Sequence, residues 1–297
     1  MENKVVIVIL NWNGKNDTIE CIKSLNNIKY KNYEIIVVDN GSTDGSIEYI
    51  KMAFPEIGLI ANDNNLGYAE GNNVGIKVAI EKGAYYILLL NNDITVAPDF
   101  LNGLVEIADK DPYIGYVGPK VYFYDYYGKK DVISFAGGKL NFWRGESYSI
   151  GYKTTDKEQF ERVEKVDFVE GSCILIRKEI IDKIGFFDTE YFTYWEEVDW
   201  CIRGQKAGYR AVFTPKSKIW HKVAASDFNN KHMYYRARNQ FLFMKKNAKN
   251  IQLLVFVLYT FIYKIWYMSA MLLIYKKDIN GCISYFNGIK DGLIVLL

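Results

Sequence analysis

Two aspartates at the ends of apolar runs, a group of carboxylates behind a tryptophan and a histidine behind another are the side chains that could do chemistry together. Asp93 follows 85–90, a continuous apolar run too short for a comfortable helix, and reads as carried by a buried parallel strand to the carboxyl edge of a sheet. Ligands of open α/β sheets bind at that edge. Taken alone, Asn91-Asn92-Asp93 has a plainer meaning, a polar turn after a strand. Asp39 closes a second such run, 34–38, so in a doubly wound sheet the two carboxylates face one crevice. Asn65, Gly67, Asn72 and Asn73 belong to a strand-to-helix loop beside them, where glycine and amides permit close approach of a planar base or sugar hydroxyls.

Glu196, Glu197 and Asp199 stand in the first turn of a helix, where carboxylates commonly complement the dipole. Glu197 also has a chemical reading, since a carboxylate near Trp195 is partly desolvated and its pKa rises toward the range of a general base. His221 follows Trp220 and is either a satisfied structural histidine or a metal ligand. A neutral imidazole, one carboxylate and diphosphate oxygens together satisfy an octahedral Mg²⁺ or Mn²⁺.

The elements that position these groups alternate, as expected of a parallel sheet with crossover helices. Strands are expected at 5–10, 34–38, 58–61 and 85–90, with helices at about 17–25, 47–54, 67–82 and 98–108. Asp17 and Glu20 offer a capping box to the first helix. After Asp111-Pro112 the period changes: 115–123 is strand-like, and 124–165, rich in Tyr, Gly, Lys and Asp, predicts irregular hairpins or a mobile surface flap. A strand over 166–176, interrupted at Gly171-Ser172, precedes helices at 178–184 and about 196–207, and 210–214 with 218–220 reads as a last edge strand ending at His221.

Composition removes several classes. Lys+Arg 37 against Asp+Glu 35 leaves no basic field for nucleic acid. The four cysteines are scattered without a Cys-x-x-Cys pair, which argues against a zinc knuckle or a disulfide framework. No Gly-x-x-x-x-Gly-Lys-Ser/Thr loop occurs, and Gly67-x-x-x-Gly71 lacks the dinucleotide spacing. The N-terminus runs directly into a strand with no cleavage site, so no signal peptide is expected and the catalytic part is placed on the cytoplasmic side.

Asn11-Trp12-Asn13-Gly14, Val38-Asp39-Asn40-Gly41-Ser42-Thr43-Asp44-Gly45, the loop from Asn65 to Asn73, Leu90-Asn91-Asn92-Asp93, Val169-Glu170-Gly171-Ser172, Trp195-Glu196-Glu197-Val198-Asp199 and Trp220-His221 occur in one order. This ordered set, over roughly 5–247, resembles family 2 glycosyltransferases, most closely the rhamnosyltransferase and galactofuranosyltransferase branch. The resemblance implies a GT-A α/β fold, a mostly parallel doubly wound sheet, and an inverting transfer from a UDP- or dTDP-sugar to a hydroxyl of a glycan or lipid-linked acceptor in cell-surface polysaccharide or glycoprotein glycan assembly. It implies that Asp39 bonds the base, that Asn11, Asn65, Gly67, Asn72 and Asn92 line the nucleotide-sugar, and that Asp93, where the family's Asp-x-Asp motif ends, holds Mg²⁺ or Mn²⁺ with His221. By the same resemblance Glu197 is the base; Gly171, Trp195, Glu196 and Asp199 border the acceptor; and Arg236, Arg238 and Asn239 belong to a lid over the diphosphate.

The expected division is a catalytic domain at 1–225 (nucleotide half to about 120, acceptor half beyond it), a basic lid or linker at 226–250 and a hydrophobic extension at 251–297. The run 251–275 is long enough to cross a bilayer but carries Lys264 at its middle, which favours attachment to the membrane surface or packing in a homo-oligomer. Two rivals were weighed. A nucleotidyltransferase wants a Gly-rich basic loop where Asn11-Trp12-Asn13-Gly14 stands, and a catalytically silent sugar-nucleotide binder has no need of Asp93, Glu197 and His221 together.

Overall fold

A computed structural model describes residues 2–222 and 230–297; the start of the expected basic lid, 226–229, lies outside the described residues. Val5-Val6-Ile7-Val8-Ile9 is apolar toward both faces, and the strand it forms, β1 (Val5–Asn11), is buried on both. After α1 (Lys15–Leu25), β2 (Tyr33–Asp39) pairs parallel with β1; after α2 (Ser46–Ala53), β3 (Gly58–Ala61) pairs parallel with β2. Following α3 (Gly67–Glu81), β4 (Tyr86–Asn91) lies parallel on the other side of β1, giving the order 3-2-1-4. The register sets Asn11 beside Asp39 and Leu10 beside Asn91, so the polar strand ends share one edge.

Beyond β4 the sheet is mixed. The short β5 (Ile94–Val96) leads to α4 (Phe100–Asp109) and the long buried β6 (Ile114–Phe123). The 124–165 region forms β7 (Val132–Phe135), a hairpin of β8 (Gly138–Asn141) and β9 (Glu146–Ser149), the two-residue β10 (Thr154–Thr155) and the start of β11 (Glu164–Val166). It is tied down by Lys120 of β6, whose fully buried ammonium meets Asp156 at 2.9 Å and Glu161 at 2.5 Å.

Three expectations are corrected. The strand expected over 166–176 is two: β11 pairs with β13, and β12 (Cys173–Arg177) runs antiparallel between β4 and β6. The chain must leave one strand for the other, and 167–172 makes that passage. After α5 (Lys178–Ile184) and α6 (Glu196–Lys206), β13 (Arg210–His221) is one strand with a register shift between Thr214 and Lys218. It is no edge, since β6 flanks one side and β11 and β5 the other. The capping box does not form: α1 begins at Lys15 behind Gly14, and Asp17 and Glu20 bind Lys222 at 2.7 and 2.6 Å instead.

The C-terminal part packs onto the same core through α7 (Asn230–Asn247) and the helical run Asn250–Tyr275. That run is α8 (Asn250–Tyr259), a π turn (Thr260–Lys264), α9 (Ile265–Ala270) and a second π turn (Met271–Tyr275). Phe256, Thr260, Lys264, Met268 and Leu272 recur every four residues and are all at least partly buried. An ideal α-helix turns such a stripe by about 40° per step; each π turn takes in an extra residue and brings it back. Leu254, Leu258, Ile262, Trp266 and Ile274 face outward and are exposed. The last helix, α10 (Ile279–Leu296), lies against α7 where Gly288 and Gly292 replace side chains that would strike the Tyr234 carbonyl and the Phe241 ring.

Candidate active site

Asn11, fully buried at the end of β1, is the hub of the strand edge. Its amide nitrogen donates to Asp39 at 2.6 Å, and its oxygen accepts from Gly14, Thr18 and Asn92 at 3.1, 2.9 and 3.0 Å. Asp39 also accepts from the Ser42 backbone at 2.8 Å and has no exposed surface. Asn40 similarly ties the neighbouring loop, donating to the Asn65 side chain and the Gly67 carbonyl, both at 3.0 Å. Gly67 is required there, because its φ is +83° and a Cβ would strike Phe192. Asn72 donates to the Tyr68 carbonyl at 2.9 Å. The structure thus corrects the sequence expectation in kind: Asn11, Asp39, Asn65, Gly67, Asn72 and Asn92 build the floor of a cleft and spend these groups on each other.

Asp93 is placed differently. It follows β4 and precedes β5, whose pairing with β13 brings Ile94 opposite His221, while Lys222 donates its backbone N–H to the Asp93 carbonyl at 3.0 Å. The Asp93 carboxylate then lies 3.2 Å from His221 Nε2. Burial pushes its pKa up, but His221 and Lys222 outweigh that and hold it below the usual carboxylate range, ionised at neutral pH. Two cis ligands of an octahedral ion bound at ~2.1 Å stand about 3 Å apart, so the pair fits a shared Mg²⁺ or Mn²⁺. No group of three or more metal-ligating side chains occurs among the described residues, which leaves the remaining positions to ligand or water oxygens.

Glu197 enters the same region on a turn of unusual backbone. Phe192, Tyr194 and Trp195 have φ of 62°, 68° and 78°, a left-handed run of three bulky non-glycine residues within four. Asn239 of α7, fully buried, holds it: its amide nitrogen meets the carbonyls of Tyr191, Thr193 and Tyr194 at 2.7, 2.8 and 2.9 Å. Trp195 packs on Phe243, with centroids 4.9 Å apart, and α6 starts at once with Glu196 and Glu197. Burial pushes the Glu197 carboxyl up to about 7, with the Glu170 charge adding to the effect. Burial, then Glu197 beside it, raises Glu196 well above its usual range.

A cavity of about 660 Å³ opens in front of Glu197, walled by Trp195, His221, Arg236, Lys264 and Met268 among others. Gly171 borders the same space: a Cβ there would lie 3.7 Å from Glu197, and its carbonyl accepts from Tyr68 at 2.6 Å. Two expected site residues are not brought here. Asp199 turns into the core, bound to Arg203 and Asn247 at 2.7 Å each, and Arg238 turns to the Glu190 carbonyl at 2.8 Å. Asn239 is a clamp rather than part of a lid. Glu170 and Lys264 reach the cavity and were passed over. The first stood unread beside Gly171, and the second was treated only as an oddity of the apolar run.

A mixed sheet parallel at its centre, carrying an aspartate and a histidine at its carboxyl edge and a buried glutamate opposite, is the frame of a GT-A glycosyltransferase. Residues 5–185 match the family model "Glycosyl transferase family 2", and the chain belongs to that family, in its rhamnosyltransferase-like branch. It is 29% identical over 208 residues to an N-acetylglucosaminyl-diphospho-decaprenol L-rhamnosyltransferase of Mycobacterium tuberculosis, covering 65% of this chain and 67% of that one. The dTDP-rhamnosyl transferase RfbF of Shigella flexneri is 24% identical over 257 residues, 83% of this chain and 82% of the relative. Among solved structures, a mannosyltransferase from Pyrobaculum calidifontis in complex with GDP-Man and Mn²⁺ superposes with a TM-score of 0.61 at 15% identity, covering all of this chain and 86% of that one.

Proposed function

We propose that this glycosyltransferase moves a hexose, of the dTDP-rhamnose or UDP-hexose type, onto a hydroxyl of a glycan or lipid-linked acceptor, with inversion at the anomeric carbon. The setting is cell-surface polysaccharide or glycoprotein glycan assembly at the cytoplasmic face of a membrane. The observation that carries the reading is the joining of a charge-binding pair, Asp93 and His221, with a desolvated base, Glu197, by a cavity that both His221 and Glu197 line.

The acceptor oxygen attacks C1 as the bond from C1 to the diphosphate breaks, and the acceptor proton passes to Glu197. A single displacement inverts the centre. When bound at Asp93 and His221, Mg²⁺ or Mn²⁺ supplies positive charge for the leaving diphosphate. The buried floor around Asn11 and Asp39 fixes the strand ends so that Asp93 needs no rearrangement as charge develops. The named activities of the relatives support the nucleotide-sugar donor and the rhamnosyl type.

The test is release of UDP or dTDP from a panel of nucleotide-sugars by the purified full chain, with and without Mn²⁺, followed by determination of the product anomer. Asp93→Ala and Glu197→Gln are each expected to lower turnover by a hundredfold or more. Transfer by either variant at the wild-type rate, or retention of configuration, would overturn the assignment.

A further inference from the structure

The cavity does not end at the sugar-transfer groups. From Glu197 and Trp195 it runs past Arg236 and Gln240 of α7 to Lys264, Met268 and Met271 on the apolar helical run, and neither Asp39 nor Asp93 lines it. It is therefore a space distinct from the strand-edge floor, on the side from which an acceptor must approach C1. Lys264 is the only charged residue between Asn250 and Tyr275, and it sits on the inward stripe. Its ammonium meets a neutral amide, Gln240 Oε1 at 2.8 Å, and not a carboxylate. Glu146 stands on the same wall, with one oxygen accepting from Tyr259 at 3.1 Å. Arg236 lies flat over the Tyr194 ring, 4.8 Å from its centroid, which leaves the edges of its guanidinium open to an anion. Arg236 and Gln240 are four residues apart on one helix, about 6 Å of rise, so the two cations flank a span that a diphosphate can bridge.

The outer end of the cavity is apolar and adaptable, with Met268 and Met271 at the level where the exposed face of the run carries Trp266, Tyr267 and Ile274. We propose that Arg236 and Lys264 form a subsite for the diphosphate of a polyprenyl-diphosphate-linked acceptor, its prenyl chain leaving past Met268 and Met271 to the apolar surface of the helical run. This rests on the reading of the chain as a sugar transferase and narrows its acceptor. It accounts for a lysine retained in the middle of an otherwise uncharged helix, where a cation without an anionic partner is costly.

The test uses the full chain in detergent and titrates farnesyl diphosphate, farnesol and inorganic diphosphate, with dTDP and UDP release from nucleotide-sugars measured separately. Farnesyl diphosphate is expected to bind at least tenfold more tightly than either of its halves and without displacing dTDP. Lys264→Met and Arg236→Gln should each weaken it tenfold or more while leaving nucleotide binding and melting temperature unchanged, and Lys264→Arg should restore it. Unchanged affinity in both variants, competition with dTDP, or equally tight binding of inorganic diphosphate would overturn the subsite. Loss of nucleotide release in the wild type would instead remove the transferase reading, so the two failures are told apart.

Discussion

Glu197 makes two opposite demands on pH. A base must be deprotonated, so with its carboxyl pushed up to about 7, kcat/KM should rise with pH and level off above that value, and Glu197→Gln should abolish the rise along with the activity. Stability should move the other way. Because the folded pKa lies above the unfolded one, the fold binds more protons than the unfolded chain between about pH 4.5 and 7, and stability falls as pH rises through that window. Denaturant melts at pH 5 and 8 check this, with wild type losing more than Glu197→Gln; equal losses would mean the carboxyl titrates normally. This pairing of Glu197 with His221 and Asp93 was legible in residue types and order. What was not legible is that the other polar strand-end residues bond one another. Asn11 and Asp39 look identical on paper whether their amide and carboxylate meet a ligand or meet at 2.6 Å, and only the register of β1 against β2 decides it.

Elements were read with unequal success, and the reason is the range of the interactions that set them. The α5 span was visible because its periodicity and its closing Gly185 are local. The capping box failed because Lys222, about two hundred residues away, takes both of its carboxylates. The break between β11 and β12 likewise depends on which distant strand each half pairs with. The turn before α6 belongs to this class: no local signal predicts three left-handed bulky residues, and their conformation is held from α7 by Asn239. Replacing Asn239 by Ala leaves those carbonyls without their donor, at a cost of about 1–3 kcal/mol for each buried group unmade. The expected result is a melting temperature several degrees lower and a kcat at least tenfold lower, with the nucleotide-sugar KM little changed. Asn239→Asp should not rescue it, because an ionised carboxylate donates nothing. A variant with wild-type kcat would show that the turn holds itself.

For the molecule as a whole, the run Asn250–Tyr275 is long and apolar enough to cross a membrane, yet one stripe of it is packed on the catalytic body and carries Lys264 into the cavity. We read it as lying along the membrane surface, its outward residues Leu258, Ile262, Trp266 and Ile274 in the lipid interface. Flotation with liposomes checks this: the full chain should rise with the vesicles, and Ile262→Glu with Trp266→Glu should leave most of it at the bottom while melting unchanged. Unaltered flotation would place the attachment elsewhere. The cavity and the lipid-facing surface are then two sides of one helix, and the two π turns decide which residue belongs to which side. Their consequence is a matter of counting. Removing one residue from the first π turn would leave the composition almost untouched but rotate everything after it by about 100°, carrying Met268 and Leu272 off the inward stripe and bringing lipid-facing neighbours onto it. Access from the membrane to the transfer site is thus encoded in the number of residues per turn as much as in their polarity.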